Sequence, residues 1–148
     1  MKILVLHGPN LNLFGRREPH IYGTTTLAQI NERLGGLADE LRIELETFQS
    51  NHEGALVDKL HENIDLAQGA LLNPAGLTQH GVSLHDAIKA MPFPVLEVHM
   101  SNIGAREPWR SHSIISPAVK ATIQGLGWRS YTAGLRALVE ILRESDAA

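Results

Sequence analysis

The stretch Ile3-Leu4-Val5-Leu6-His7-Gly8-Pro9-Asn10 decides how the rest of the chain reads. Four apolar residues in succession suit a strand buried on both faces, as in the middle of a parallel sheet, and Gly8-Pro9 stops the run. The same device recurs at Gly69 to Leu72, stopped by Asn73-Pro74, and a further strand is predicted over Pro94 to Val98. Between these runs the apolar period lengthens to that of a helix. From Thr25 to Leu41, the residues Leu27, Ile30, Leu34, Leu37, Ala38 and Leu41 recur at three- and four-residue steps, and the threonines offer an N-cap. Gly35-Gly36 weakens this helix by about 1 kcal/mol per glycine relative to alanine.

Ile43 to Gln49 alternates as a second strand. Glu53 to Leu66 reads as a helix with Leu56, Leu60, Ile64 and Ala67 on one face, and Val82 to Met91 as another. Ala121 to Leu126 reads as a fifth strand, although Pro117 to Gln124 reads equally as the start of a helix. Tyr131 to Leu142 closes the chain as a helix before a polar tail, Glu144 to Ala148. Residues 10–23 and Ser101 to Ser113 read as loops. Five strands alternating with helices imply βαβ units with right-handed crossovers, so an α/β protein with a parallel sheet covered on both faces. Residues 1–148 are expected to form one domain. In such a sheet, ligands bind beyond the carboxyl ends of the strands at a switch point. The places to look therefore follow Leu6, Ser50, Leu72, Val98 and Leu126.

Composition removes several chemistries. The chain has 148 residues and no cysteine, so disulfides, thiolate metal sites and a cysteine nucleophile are excluded. A net charge of -3 argues against a dedicated nucleic-acid binder. The eight histidines show no metal-ligand spacing. Met1 to Leu6 is too short for a signal-peptide core, and no apolar stretch reaches the roughly 18 residues of a membrane span, so the cytoplasm is the expected compartment. No Gly-Lys-Ser/Thr phosphate loop and no Gly-x-Gly-x-x-Gly fingerprint is present.

Three strand ends carry unusual polar residues. Singly, each has an ordinary explanation: Gly8 and Gly15 as turn glycines, Arg16 and Arg17 as solvated charge, Tyr22 as a surface aromatic. Together they suggest proton transfer. Glu97 and His99 stand two residues apart on one strand and so share a face, and a carboxylate beside an imidazole favours a general acid. Tyr22 follows Arg17 by five residues. A free tyrosine titrates near pH 10, and a guanidinium held close favours its phenolate, giving a base. Asn10, Asn12 and Asn73 offer neutral amides for an oxyanion or hydroxyl groups, while Arg110 and Ser101 suit a polyhydroxylated acid. The set fits proton abstraction beside a carbonyl followed by loss of water.

The motifs resemble those of the type II 3-dehydroquinate dehydratases over nearly the whole chain, from Ile3 to about Leu142. The resemblance is carried by Gly8-Pro9-Asn10-Leu11-Asn12, Gly15-Arg16-Arg17-Glu18-Pro19, Tyr22-Gly23, Asn73-Pro74, Glu97-Val98-His99-Met100-Ser101-Asn102, Arg106-Glu107, Arg110 and His112-Ser113. It implies a flavodoxin-like fold with a five-stranded parallel sheet. It also implies anti elimination of water from 3-dehydroquinate through an enolate, with no cofactor, metal or Schiff base. The pathway would be aromatic amino-acid biosynthesis or quinate catabolism. By resemblance, Tyr22 is the base and Arg17 the lid arginine that activates it. Asn10 holds the water at the enolate oxygen, and His99 is the acid, oriented by Glu97. Asn73 and Arg110 bind hydroxyls, and Met100 and Ser101 bind the carboxylate. Asp86 acts near the site of a neighbouring subunit, in a dodecamer built from trimers.

The chain departs from the family pattern at Gln79, where a substrate-binding histidine is usual, with His80 beside it. It also departs at Gly81, at His85 in place of an arginine, and at His7 in place of an asparagine. These changes motivate a second reading, a dehydratase fold that binds a related cyclic polyol acid or turns it over slowly. A third reading, a flavin or receiver module, lacks both the Ser/Thr-rich loop and the acidic cluster after the first strand.

Overall fold

The predicted strands pair side by side. In the computed structural model, which describes residues 1–147, they form β1 (Lys2–His7), β2 (Glu44–Gln49), β3 (Gly69–Asn73), β4 (Val95–His99) and β5 (Ala121–Gln124). The order across the sheet is β2-β1-β3-β4-β5, and every neighbouring pair is parallel. The helices are α1 (Pro19–Tyr22), α2 (Leu27–Leu41), α3 (Glu53–Glu62), α4 (Val82–Ala90) and α5 (Arg129–Ala147).

The two-residue period of the strands divides the core into two layers. Ile3, Val5, Leu71, Leu96 and Val98 point to one face, onto Ile30 and Leu34 of α2 and Leu135 and Leu138 of α5. Leu4, Leu6, Ala70, Leu72 and Val95 point to the other, onto Leu56 and Leu60 of α3 and Leu84 and Ile88 of α4. Burying each such side chain is worth about 1.5–3 kcal/mol, so both faces hold the sheet. This three-layer α/β arrangement is the flavodoxin-like fold that the resemblance implied. Among the described residues no helix is long and apolar enough to cross a membrane.

The structure differs from the sequence reading in several places; β5, for one, ends at Gln124 rather than Leu126, and the loop after β4 holds 3-10 turns at Ile103–Ala105 and Pro108–Arg110. The helix expected to reach Leu66 stops at Glu62, where the Asn63 side chain donates to the Lys59 carbonyl at 3.0 Å. Ile64 consequently leaves the expected apolar face and is 39% exposed. The tail expected after Leu142 is helical to Ala147, because no glycine or proline interrupts it. The loop over residues 10–23 contains a 3-10 turn at Leu11–Leu13 and the short helix α1, whose Pro19 occupies a first-turn position where a missing N–H does no harm. The ambiguous segment 117–124 resolves into a 3-10 turn at Ser116–Ala118 followed by β5.

Candidate active site

The sheet order reverses between β1 and β3, and the polar strand ends meet there. A glycine makes the meeting possible. Gly8 N–H donates to the Asn73 carbonyl at 2.8 Å, and a β-carbon on Gly8 would lie 2.6 Å from the Pro74 carbonyl oxygen. The close approach puts Asn10 and Asn73 on one cavity of about 270 Å³, small-molecule in scale. Asn10 itself has φ 69°, a left-handed conformation that asparagine tolerates, and its N–H donates to Asn51 Oδ1.

On β4, Glu97 and His99 do share a face. His99 Nε2 meets Glu97 Oε2 at 2.5 Å, and both residues are buried. Glu97 also accepts from Ser113 Oγ at 3.1 Å and Ser116 Oγ at 3.0 Å. Ser113 Oγ in turn accepts the Ile115 and Ser116 N–H groups, which aims its proton at the carboxylate. A buried carboxylate needs such donors. Among the described residues, His99 Nδ1 has no partner within the chain, and His99 lines the cavity.

Tyr22, at the end of α1, forms another part of the wall. Its hydroxyl accepts from Arg106 Nη1 at 2.8 Å, and the guanidinium carbons of Arg17 and Arg106 lie 5.1 Å and 5.2 Å from its ring centre. Phe14 packs at 5.8 Å from the same ring. The sequence reading paired Tyr22 with Arg17 alone. In the structure both arginines border the ring, and Arg106 is the one that reaches the phenol oxygen. Eighty-four residues separate the pair, and nothing in the spacing pointed to it.

Beyond β4, Met100 and Ser101 also line the cavity. Gly127 N–H donates to the Met100 carbonyl, whereas among the described residues neither the Met100 nor the Ser101 N–H donates within the chain. Arg110 lies in the wall with Nε 2.5 Å from Glu107 Oε2, an ion-pair contact rather than a directed hydrogen bond. Gln79 lines the cavity too, but its Nε2 donates to the Arg110 and His112 carbonyls at 3.1 and 3.3 Å. It braces the loop that carries Arg110. His80 is also in the wall. Asp86 lies outside the cavity, exposed and 2.8 Å from His85 Nδ1, and Asn12 also lies outside it, near Gln49. Among the described residues, no group of three or more His, Asp or Glu side chains is placed to hold a metal ion.

Beneath the cavity lie two buried titratable groups to which the sequence reading gave no role. Burial pushes the His7 imidazole down to about 4 and raises the Tyr131 phenol above its ordinary value. Neither residue lines the cavity, and Tyr131 comes from α5, so no local motif marked it.

A candidate acid at the end of β4 and a candidate base at the end of α1, converging on a small polar cavity, define a flavodoxin-like α/β enzyme. The model of the family described as Dehydroquinase class II matches residues 1–139. A 3-dehydroquinate dehydratase of Desulforudis audaxviator is 51% identical over 142 residues, covering 96% of this chain and 95% of the relative. The type II dehydroquinase structure from Butyrivibrio crossotus superposes with a TM-score of 0.92 at 36% identity, covering 93% of this chain and 97% of that one. That from Propionibacterium acnes gives 0.91 at 40% identity, over 94% and 96%. The chain belongs to the class II dehydroquinase family, and it is an enzyme of the hydro-lyase class.

Proposed function

We propose that the chain dehydrates 3-dehydroquinate to 3-dehydroshikimate by anti elimination through an enolate. The carrying observation is the Arg106–Tyr22 contact at 2.8 Å, with Arg17 beside the same ring. A guanidinium N–H donated to the phenol oxygen stabilises negative charge there. The Tyr22 phenolate takes the C2 proton, and the electron pair moves into the enolate at C3. Collapse of the enolate then expels the C1 hydroxyl, which leaves as water with a proton from His99. Glu97, 2.5 Å from His99 Nε2, fixes the imidazole so that Nδ1 serves as the donor.

Asn10 holds the water that stabilises the enolate oxygen. The N–H groups of Met100 and Ser101, with the Ser101 hydroxyl, bind the carboxylate. Asn73 and Arg110 take substrate hydroxyls, and Gln79 offers its Oε1 while its Nε2 holds the loop. The 148 residues act as one cytoplasmic domain in aromatic amino-acid biosynthesis or quinate catabolism. The chain assembles as a dodecamer, a tetramer of trimers, in which Asp86, exposed outside its own cavity, reaches a neighbour's site.

The test is enone absorbance on addition of 3-dehydroquinate. Turnover is expected, and it should survive both EDTA and borohydride added with substrate. Tyr22→Phe and His99→Ala should each lower kcat about 10³-fold without loss of fold. An inactive wild-type protein would sink the assignment, and a near-normal Tyr22→Phe would remove the tyrosine from it.

A further inference from the structure

One line of hydrogen bonds runs through the α2/α5 face directly below the cavity, and its direction can be deduced. Ala75 N–H donates to one end of the Asn73 carboxamide at 3.1 Å. A backbone N–H can only donate, so that end is the oxygen and the other is Nδ2. Nδ2 donates to Tyr131 Oη at 3.0 Å. The Tyr131 proton then goes to its other neighbour, His7 Nδ1, at 3.0 Å. His7 must carry its own proton on Nε2, where Asn31 Oδ1 accepts at 2.9 Å. His7, Tyr131 and Asn73 are all buried, with exposures of 0%, 0% and 4%. Every donor between Asn73, Tyr131, His7 and Asn31 faces the same way, so each link of the chain has one proton and one acceptor.

This order has a consequence at the cavity. Asn73 lines it, and one Nδ2 hydrogen is bound to Tyr131 while Oδ1 is bound to Ala75. What remains for a ligand is the second Nδ2 hydrogen and one lone pair of Oδ1, each held in a fixed direction. We propose that Tyr131 and His7 are positioning residues. They lock the Asn73 carboxamide in one of its two flipped orientations, so that the free Nδ2 hydrogen keeps a fixed direction toward a substrate hydroxyl. The inference deepens the reading above and rests on Asn73 contacting the substrate. Because Asn73 holds the same hydroxyl in the ground and transition states, losing its orientation weakens binding rather than chemistry.

The experiment is steady-state kinetics with 3-dehydroquinate on Tyr131→Phe, Asn73→Ala and the double variant, with circular dichroism to confirm the fold. Tyr131→Phe should raise KM about tenfold, the scale of one hydrogen bond, and leave kcat within about twofold. A role in folding alone would lower the active fraction, and thus kcat, at constant KM. In the Asn73→Ala background, Tyr131→Phe should add nothing. Additive effects, or an unchanged KM in Tyr131→Phe, would overturn the positioning role. An unchanged KM in Asn73→Ala would instead overturn the substrate contact on which it rests.

Position 7 gives an independent arm if Tyr131→Phe does not fold. An asparagine there is expected to set its Oδ1 close to where His7 Nδ1 accepts from Tyr131, so His7→Asn should keep KM within about twofold. His7→Leu offers no acceptor and should raise KM about tenfold. Equal KM values in these two variants would overturn the proposal.

Discussion

Tyr22 is held by two cations, and the two do different things. Arg17 and Arg106 both place their guanidinium groups just over 5 Å from the ring centre, but Arg106 is the one that donates to the oxygen, at 2.8 Å. Removing a donor aimed at developing charge costs roughly 10²–10³ in rate. Arg106→Leu should therefore lower kcat by about two orders of magnitude while far-ultraviolet circular dichroism stays unchanged. An Arg106→Leu enzyme within tenfold of wild type would mean that Arg17 alone suffices. Glu97 makes a comparable case. It accepts from two serines and one histidine in a buried setting, so Glu97→Gln keeps the shape and removes the charge. We expect kcat to fall about 10²-fold with KM little changed, read from the same assay. The Glu97–His99 pair was legible in the sequence because a two-residue spacing on a strand fixes a common face. The contacts of Ser116 with Glu97 and of Arg106 with Tyr22 were not, because each residue reaches its partner through loop geometry.

The elements divide in a similar way. α2 was legible from its period and its cap. Thr26 Oγ accepts the Gln29 N–H at 3.2 Å, and Gln29 returns its side chain to the Thr26 N–H at 2.9 Å. Thr26→Ala removes one half of this box, and urea unfolding should show a loss of about 1 kcal/mol. The end of α3 was not legible, because Ile64 continues the apolar period while the Asn63 side chain turns back to Lys59 and ends the helix. Gly8 is the element-scale residue on which the site depends. With the Pro74 oxygen 2.6 Å from where a β-carbon would sit, Gly8→Ala must push β1 and β3 apart at their carboxyl ends. Unfolding should show a loss of about 2 kcal/mol, and KM should rise as Asn10 and Asn73 separate. A Gly8→Ala protein with wild-type KM would show that the cavity tolerates the shift.

Across the whole molecule, the buried His7 ties stability to pH. Its imidazole titrates near 6.5 when unfolded and near 4 when folded. Between those values the unfolded chain holds a proton that the folded chain does not, so stability is fully present above pH 6.5 and falls as the pH drops toward 4. The loss approaches about 3 kcal/mol at pH 4, and it should be smaller by about that amount in His7→Asn, measured by urea unfolding across this range. An identical acid slope in the two proteins would show that His7 is not the group responsible. Except at segment 117–124 and α1, the sequence alone determined most of the local facts, namely which runs are strands, which are helices, and which strand ends are polar. These follow from periodicity and from turn residues, whose effects act within a few residues. Only the tertiary structure decided that Arg106 lies on Tyr22 and that Tyr131 lies under Asn73, contacts spanning 84 and 58 residues. Such contacts arise because parallel pairing of distant strands and packing of α5 across them minimise exposed apolar surface. That global condition leaves no spacing for a motif to record.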